Sequence, residues 1–300
     1  MKIQLTLLFC LVFQLMFSQH HLKITGGHLK ITGNVDLVLE NTKWVNNANF
    51  SSTEGTVHLV GTTSQTNASI EGSNETTFHN LTINKSSNNA EINQNITVQN
   101  TLTLSGGNLE LNNSDIFLNG SYTIQNGHYF QTSGTGSLKR EVPNGSTKTF
   151  PIGNETFTPM TLQNDGTADV FSVRTTPEVL ENGTSGNAYN NGIVDRTWFV
   201  EEDVTGGSDL TLTAQWNAAD ELTGFDRNDC AISHYTSSWD MPGGAAASGS
   251  DPYTISRSGI TTLSPFAVFT EFVLPIELID FYAFREGENV RLEWTTATEI

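Results

Sequence analysis

Positive charge is scarce. Lysine and arginine total 14 against 32 aspartates and glutamates, a formal net charge of −18. From Glu178 onward there are 20 acidic and 5 basic residues, a net of −15. Such a field repels nucleic acid and anionic membranes, and suits an exported soluble protein or one that binds divalent cations. Cysteine is nearly missing: only Cys10 and Cys230 occur. Long apolar runs are missing beyond Leu5–Phe17, which is too short to span a bilayer. No segment carries the period of an amphipathic helix, although Asn217–Gly224 can form one short turn.

The one apolar run sits where an export signal belongs. Lys2 supplies the positive start and Leu5–Phe17 the apolar region. Cleavage after Ser18 leaves Gln19 as the new N-terminus. Cys10 lies inside the apolar region and follows Phe9, which is too large for the position before a lipidated cysteine, so lipidation is excluded. The mature chain then keeps Cys230 alone and no disulfide. Its stability must come from β-pairing.

What is abundant is asparagine, with 19 between Asn34 and Asn126. From Leu81 to Ile124 the chain reads LTIN, AEIN, ITVQN, LTLSGG, LELNN, IFLNG, YTIQNG. Apolar-polar-apolar triplets are very short strands with one buried face. Asn and Gly tolerate left-handed backbone, so each triplet ends in a corner. Leu81, Leu102 and Tyr122 lie 21 and 20 residues apart. Three strands and three corners per period describe a parallel β-helix whose coils stack. The spacing predicts that these three residues stack in register and face inward. The tandem HLKITG at His21–Gly26 and His28–Gly33 reads as two strands of a first coil. Four to five coils are expected over 19–140, with some asparagines stacked as ladders.

The rhythm breaks at Ser133–Lys148, where Gly134, Gly136, Pro143 and Gly145 mark a boundary. Eight alternating segments follow: FPIGN, TPMTLQN, DVFSVRTT, RTWFVEED, LTLTAQW, AISHYTSSWD, YTISRSG and SPFAVFTE. They predict an antiparallel β-sandwich over 141–273. The last stretch, 274–300, gives a strand, a turn at Glu286-Gly287-Glu288-Asn289, and a second strand. Two strands are not a domain, so this stretch is expected to begin an incomplete unit. Ile276, Leu278, Ile279 and Phe281, with Val290, Leu292 and Trp294, are its expected apolar face. The fold class is therefore all-β: a signal peptide (1–18), a parallel β-helix solenoid, an antiparallel sandwich and a truncated second sandwich.

The tail LPIELIDFYAFREGENVRLEWTTATEI resembles the immunoglobulin/fibronectin-like unit that precedes the sorting domain in type IX secretion cargo, which implies that 274–300 is the start of such a domain. Leu274, Pro275, Glu277, Leu278, Leu292, Trp294, Thr296, Ala297 and Glu299 carry the likeness. The segments at Phe150–Gly153, Asp195–Trp198, Ser233–Tyr235, Trp239-Asp240 and Ser264–Val268 resemble the sandwich common in the same modular surface proteins. The coils resemble their repeats. The resemblance implies an extracellular or outer-membrane-surface protein, often adhesive, with no catalytic residues to transfer. The sorting domain itself does not appear in these residues. The secretion machinery is an implied partner only if such a domain follows Ile300.

Residues able to carry chemistry are few. A glycan-cleaving β-helix needs carboxylates gathered in one groove. Between residues 20 and 140 the only aspartates are Asp36 and Asp115, and Glu91 and Glu110 are expected on different faces. Three carboxylates within one groove would revive that reading. The histidines His20, His21, His28, His58, His79 and His128 read as solvated strand positions rather than metal ligands. Calcium has two candidate loops, one with Asp226 and Asp229, the other with Asp165 and Asp169. Turn chemistry explains the same residues equally well. Trp239, in its SSWD context, is the candidate exposed aromatic for a sugar, whereas Trp198 shares parity with Val194 and Val200 and should be buried. No GxSxG elbow is present. The resulting expectation is a non-enzymatic structural or adhesive protein, with a carbohydrate-binding accessory module as the alternative. Extracellular glycans or cell-surface components are the expected partners, with no nucleic acid and no membrane span in the mature chain.

Overall fold

The computed structural model describes residues 20–61, 68–86, 88–271, 278–287 and 289–296. The leader, its cleavage site, Leu274–Glu277 and Ala297–Ile300 lie outside them. The described chain is almost entirely strand, with a parallel solenoid of about six coils followed by antiparallel sheets. No α-helix occurs among the described residues; a single 3-10 turn spans Ala218–Asp220, inside the expected short turn.

Each coil has three faces. The first face stacks His20–Ile24, Thr42–Asn46, Ala68–Glu71, Ala90–Ile92, Leu109–Glu110, Phe130–Gln131 and Ile152–Asn154 in parallel. The second begins with His28–Ile31 on Asn49–Ser52, a separate two-stranded ladder, and resumes as a ladder through 76–78, 96–98, Ile116–Leu118 and Leu138–Val142. The third stacks Asp36–Glu40, Thr56–Gly61, 80–85, 101–106 and Ser121–Ile124. Strands Thr76–Lys85 and Ile96–Gly106 run round a corner and serve two faces each. The duplicated HLKITG units are neighbouring strands of the first coil, as their alternation predicts.

The predicted column is present and longer than expected. Leu37, Val57, Leu81, Leu102 and Tyr122 pair in sequence across five coils. Leu81 and Leu102 are fully buried. Tyr122 is half-buried, its ring 5.0 Å beneath the Arg140 guanidinium. Each fully buried aliphatic side chain in such a column contributes roughly 1.5–3 kcal/mol. Asparagines knit the corners. Asn100 donates to Asn80 Oδ1 at 2.8 Å, Asn112 to Asn93 Oδ1 at 3.1 Å and Asn119 to Gln99 Oε1 at 2.9 Å. These bonds tie solvent-exposed side chains of adjacent coils to one another.

The expected boundary at 140/141 falls in the middle of a strand. Leu138–Val142 pairs parallel with Ile116–Leu118 on one edge and antiparallel with Asp169–Pro177 on the other. Leu138 itself is the register partner of both Ile116 and Val173. The second face thus continues without interruption into Asp169–Pro177, Ile193–Glu202, Pro265–Thr270 and Cys230–His234. The opposing sandwich layer is Ser146–Phe150, Met160–Asn164, Leu210–Trp216, Tyr253–Ile260 and Ser248–Gly249. FPIGN is divided: Phe150 ends a sandwich strand, and Ile152–Asn154 adds a last rung to the first solenoid face. One hydrophobic cluster runs from Ile24 in the first coil to Val268 in the sandwich. The glycines near the boundary are turn residues within a continuous fold, because the parallel edge left by the last coil is covered directly by an antiparallel strand.

Leu278–Glu286 and Asn289–Thr296 form an antiparallel hairpin around the expected turn, with Gly287 in left-handed conformation at φ 67°. Phe281 pairs with Trp294 and Ala283 with Leu292, while Tyr282 and Phe284 lie on the opposite side. Phe281, Val290, Leu292 and Trp294 are all exposed.

Candidate binding cleft

A cleft of about 220 Å³ lies where the second solenoid face meets the sandwich, lined by Glu75, Asn95, Ile96, Thr97, Asp115, Phe117, Lys139, Val170 and Asp203. Three coils supply one wall. Thr97, Phe117 and Lys139 are successive rungs of one outward row. Glu75, Asn95 and Asp115 each immediately precede a strand of the same face, so they share the corner. The corner is tied rung to rung: the Asp115 N–H donates to Asn95 Oδ1 at 2.9 Å, and Asp115 Oδ1 accepts from the Ser137 N–H at 2.9 Å. Thr97 Oγ1 donates to Glu75 Oε1 at 3.0 Å.

The sandwich supplies the other wall. Asp203 forms an ion pair with Lys139 at 2.9 Å, and its own N–H donates to the Val170 carbonyl. Asp169 holds this loop in place. Its Oδ1 accepts from the Val170 N–H at 2.7 Å and its Oδ2 from the Val204 N–H at 2.9 Å. One calcium candidate is therefore a loop anchor beside the cleft. The other three serve turns or contacts of their own. Asp165 accepts from the Gln163 side chain, and Asp226 Oδ1 from both the backbone and side chain of Asn228. Asp229 Oδ1 lies so close to Gly244 that a Cβ there would sit 1.9 Å away. Among the described residues, no three His, Cys, Asp or Glu side chains gather as metal ligands.

Trp239 is not an exposed platform. It is 8% exposed, its Nε1 donates to the Leu180 carbonyl at 2.8 Å, and its ring packs on Tyr235 and Phe269. The SSWD stretch looks like an open loop in sequence, but it folds under the Val179–Leu180 segment, which is remote along the chain. Trp198 is fully buried, as its parity predicts, and so is Trp216. Glu91 and Glu110, expected on different faces, are register partners on the first face, stacked on adjacent coils. His58 meets Asp36 at 3.1 Å, an outward pair across two coils. Cys230 is buried, and burial pushes its thiol up to about 11, which makes it a poor nucleophile.

Three carboxylates, Glu75, Asp115 and Asp203, do share this one cleft, the condition set for reviving catalysis. Each is tied to a structural partner: a threonine hydroxyl, a backbone amide and a lysine. Sequence reasoning missed the site because Asp203 comes from a sandwich loop, and only the Phe117 position, an aromatic at an outward mid-triplet site, signals it. No helix among the described residues is long and apolar enough to cross a membrane. Comparisons with family models, with curated proteins and with solved structures find no significant match to this chain.

Proposed function

We propose that this chain is an exported, non-enzymatic structural or adhesive protein of the cell surface or extracellular space, of the type IX secretion cargo kind. The observation that carries this reading is the unbroken sheet and core from the first coil through Leu138–Val142 into the sandwich. A solenoid joined to its head without a linker is a stiff spacer, the property a surface stalk needs. The N-terminal export signal and the tail's likeness to type IX cargo modules agree with that role. The acidic balance keeps such a surface soluble and free of nucleic acid.

Expression of the complete gene in a type IX-secreting host tests the proposal. Surface-labelled or secreted protein should begin at Gln19. Material that stays inside the cell and still begins at Met1 rejects it. A carbohydrate-binding accessory module is the second reading, favoured by the junction cleft. A glycan-cleaving enzyme is the third; release of reducing ends from polysaccharides, lost in Asp115→Asn, would establish it over the other two.

A further inference from the structure

We propose that the cleft at the junction of solenoid and sandwich is a groove site for a neutral polysaccharide, a proposal that rests on the carbohydrate-binding reading and supplies its ligand class. At about 220 Å³ the cleft is smaller than pockets that enclose whole ligands, which run roughly 300–1,000 Å³. It suits a short stretch of an extended chain that lies across the surface. Phe117 and Lys139, successive rungs of the row, give such a chain a short track along the solenoid axis that ends at the buried Thr97.

The chemistry of the lining fits a sugar. Phe117 is half-buried and offers an aromatic surface in the middle of the row. An aromatic ring stacks on the C–H face of a pyranose through burial of apolar area. Around it stand side chains that both accept and donate: the carboxylates of Glu75 and Asp115, the amide of Asn95 and the ammonium of Lys139. Sugar hydroxyls need both kinds of partner, and hydroxyl-to-carboxylate bonds are the stronger charge-assisted type. Three carboxylates against one ammonium make the cleft net negative, so uronate or sulfated glycans are repelled. The site is also preorganised. Its solenoid wall is made of paired strands, and its sandwich wall is pinned by Asp169 and by the Lys139–Asp203 ion pair. Little ordering cost then opposes binding.

Native affinity electrophoresis of the full chain tests this. The gels contain hydroxyethylcellulose, xyloglucan or laminarin as neutral polysaccharides, and polygalacturonate as the anionic one. At least one neutral polysaccharide should retard the protein, and polygalacturonate should not. Phe117→Ala should weaken retardation about tenfold, the scale of one lost stacking contact. Glu75→Gln, which keeps the side-chain shape, should weaken it by a smaller factor and covers the case in which Phe117→Ala fails to fold. Thermal melting checks that each variant is folded. Absence of retardation in every neutral gel overturns the proposal. So does retardation that both variants leave unchanged, or equal retardation by polygalacturonate. Export and cleavage before Gln19 do not depend on the cleft, so the adhesive reading survives or falls separately.

Discussion

Lys85 reaches over Gly61 to donate to Asn41 Oδ1 at 3.1 Å, bridging the third coil to the corner that ends the first. Gly61 is the register partner of Lys85, and Lys85 is only 1% exposed. Burial lowers the lysine's proton affinity. The contact exists because the residue between the two side chains has no side chain of its own.

Gly61→Ala should therefore be costly. An added Cβ would lie 1.9 Å from Asn41 Oδ1 and 2.9 Å from Lys85 Nζ, on a residue whose φ is +146°. The expected loss is about 1–3 kcal/mol, from overpacking and backbone strain together. Urea unfolding measures it; a midpoint equal to that of the parent chain would show that the corner relaxes freely.

Asp220 should be the most sensitive charged residue of the sandwich. Its Oδ1 accepts from Arg196 Nη2 and from Thr156 Oγ1, both at 2.8 Å, and both members of the ion pair are buried. Asp220→Ala leaves a guanidinium buried without its anion and should cost about 3–5 kcal/mol. Arg227→Ala, at a partly exposed arginine, is the comparison and should cost far less. Similar melting temperatures for the two variants would contradict this.

Acid should weaken the fold through His234. Its ring stacks on Phe266 at 4.5 Å, and Nε2 has no hydrogen-bond partner among the described residues. Burial lowers its proton affinity, opposed by Asp240 and reinforced by Arg257, the two charged groups beside it. A histidine with a depressed folded pKa favours the fold above its ordinary value of 6.5, and that contribution is lost as pH falls toward the folded value. The difference in stability between the parent chain and His234→Gln should shrink below pH 6.5, by up to about 1.4 kcal/mol per pH unit. Asp240, whose proton affinity is also lowered, acts at lower pH and is common to both proteins. A pH-independent difference would dismiss the histidine's role.

The terminal hairpin should open most easily. Trp294 is 62% exposed and Val290 66%, whereas Leu102 and Leu111 are fully buried. Few buried contacts mean low-energy local opening. Amide hydrogen exchange at Arg291–Trp294 should be much faster than at Leu102–Leu111. Equal protection would mean that the hairpin is as firmly held as the coils.

The sequence by itself determined the coils, their stacking column and most strands. Alternation fixes which side chains of a short strand share a face, and Asn or Gly fixes where it turns; both are local. Leu81, Leu102 and Tyr122 were legible for that reason, as were the burial of Trp198 and the turn at Gly287. Tertiary structure alone decided which strand edges meet. Alternation in Leu138–Val142 reads the same whether its neighbour is parallel or antiparallel, so the absence of a break near residue 140 was not legible. Trp239 is buried by a segment almost 60 residues away. The cleft, likewise, joins Lys139 to Asp203, a partner that only the antiparallel return of the chain brings within 2.9 Å. Pairings of that kind depend on which edge and which face remain uncovered once the local strands have formed, and no local pattern encodes that.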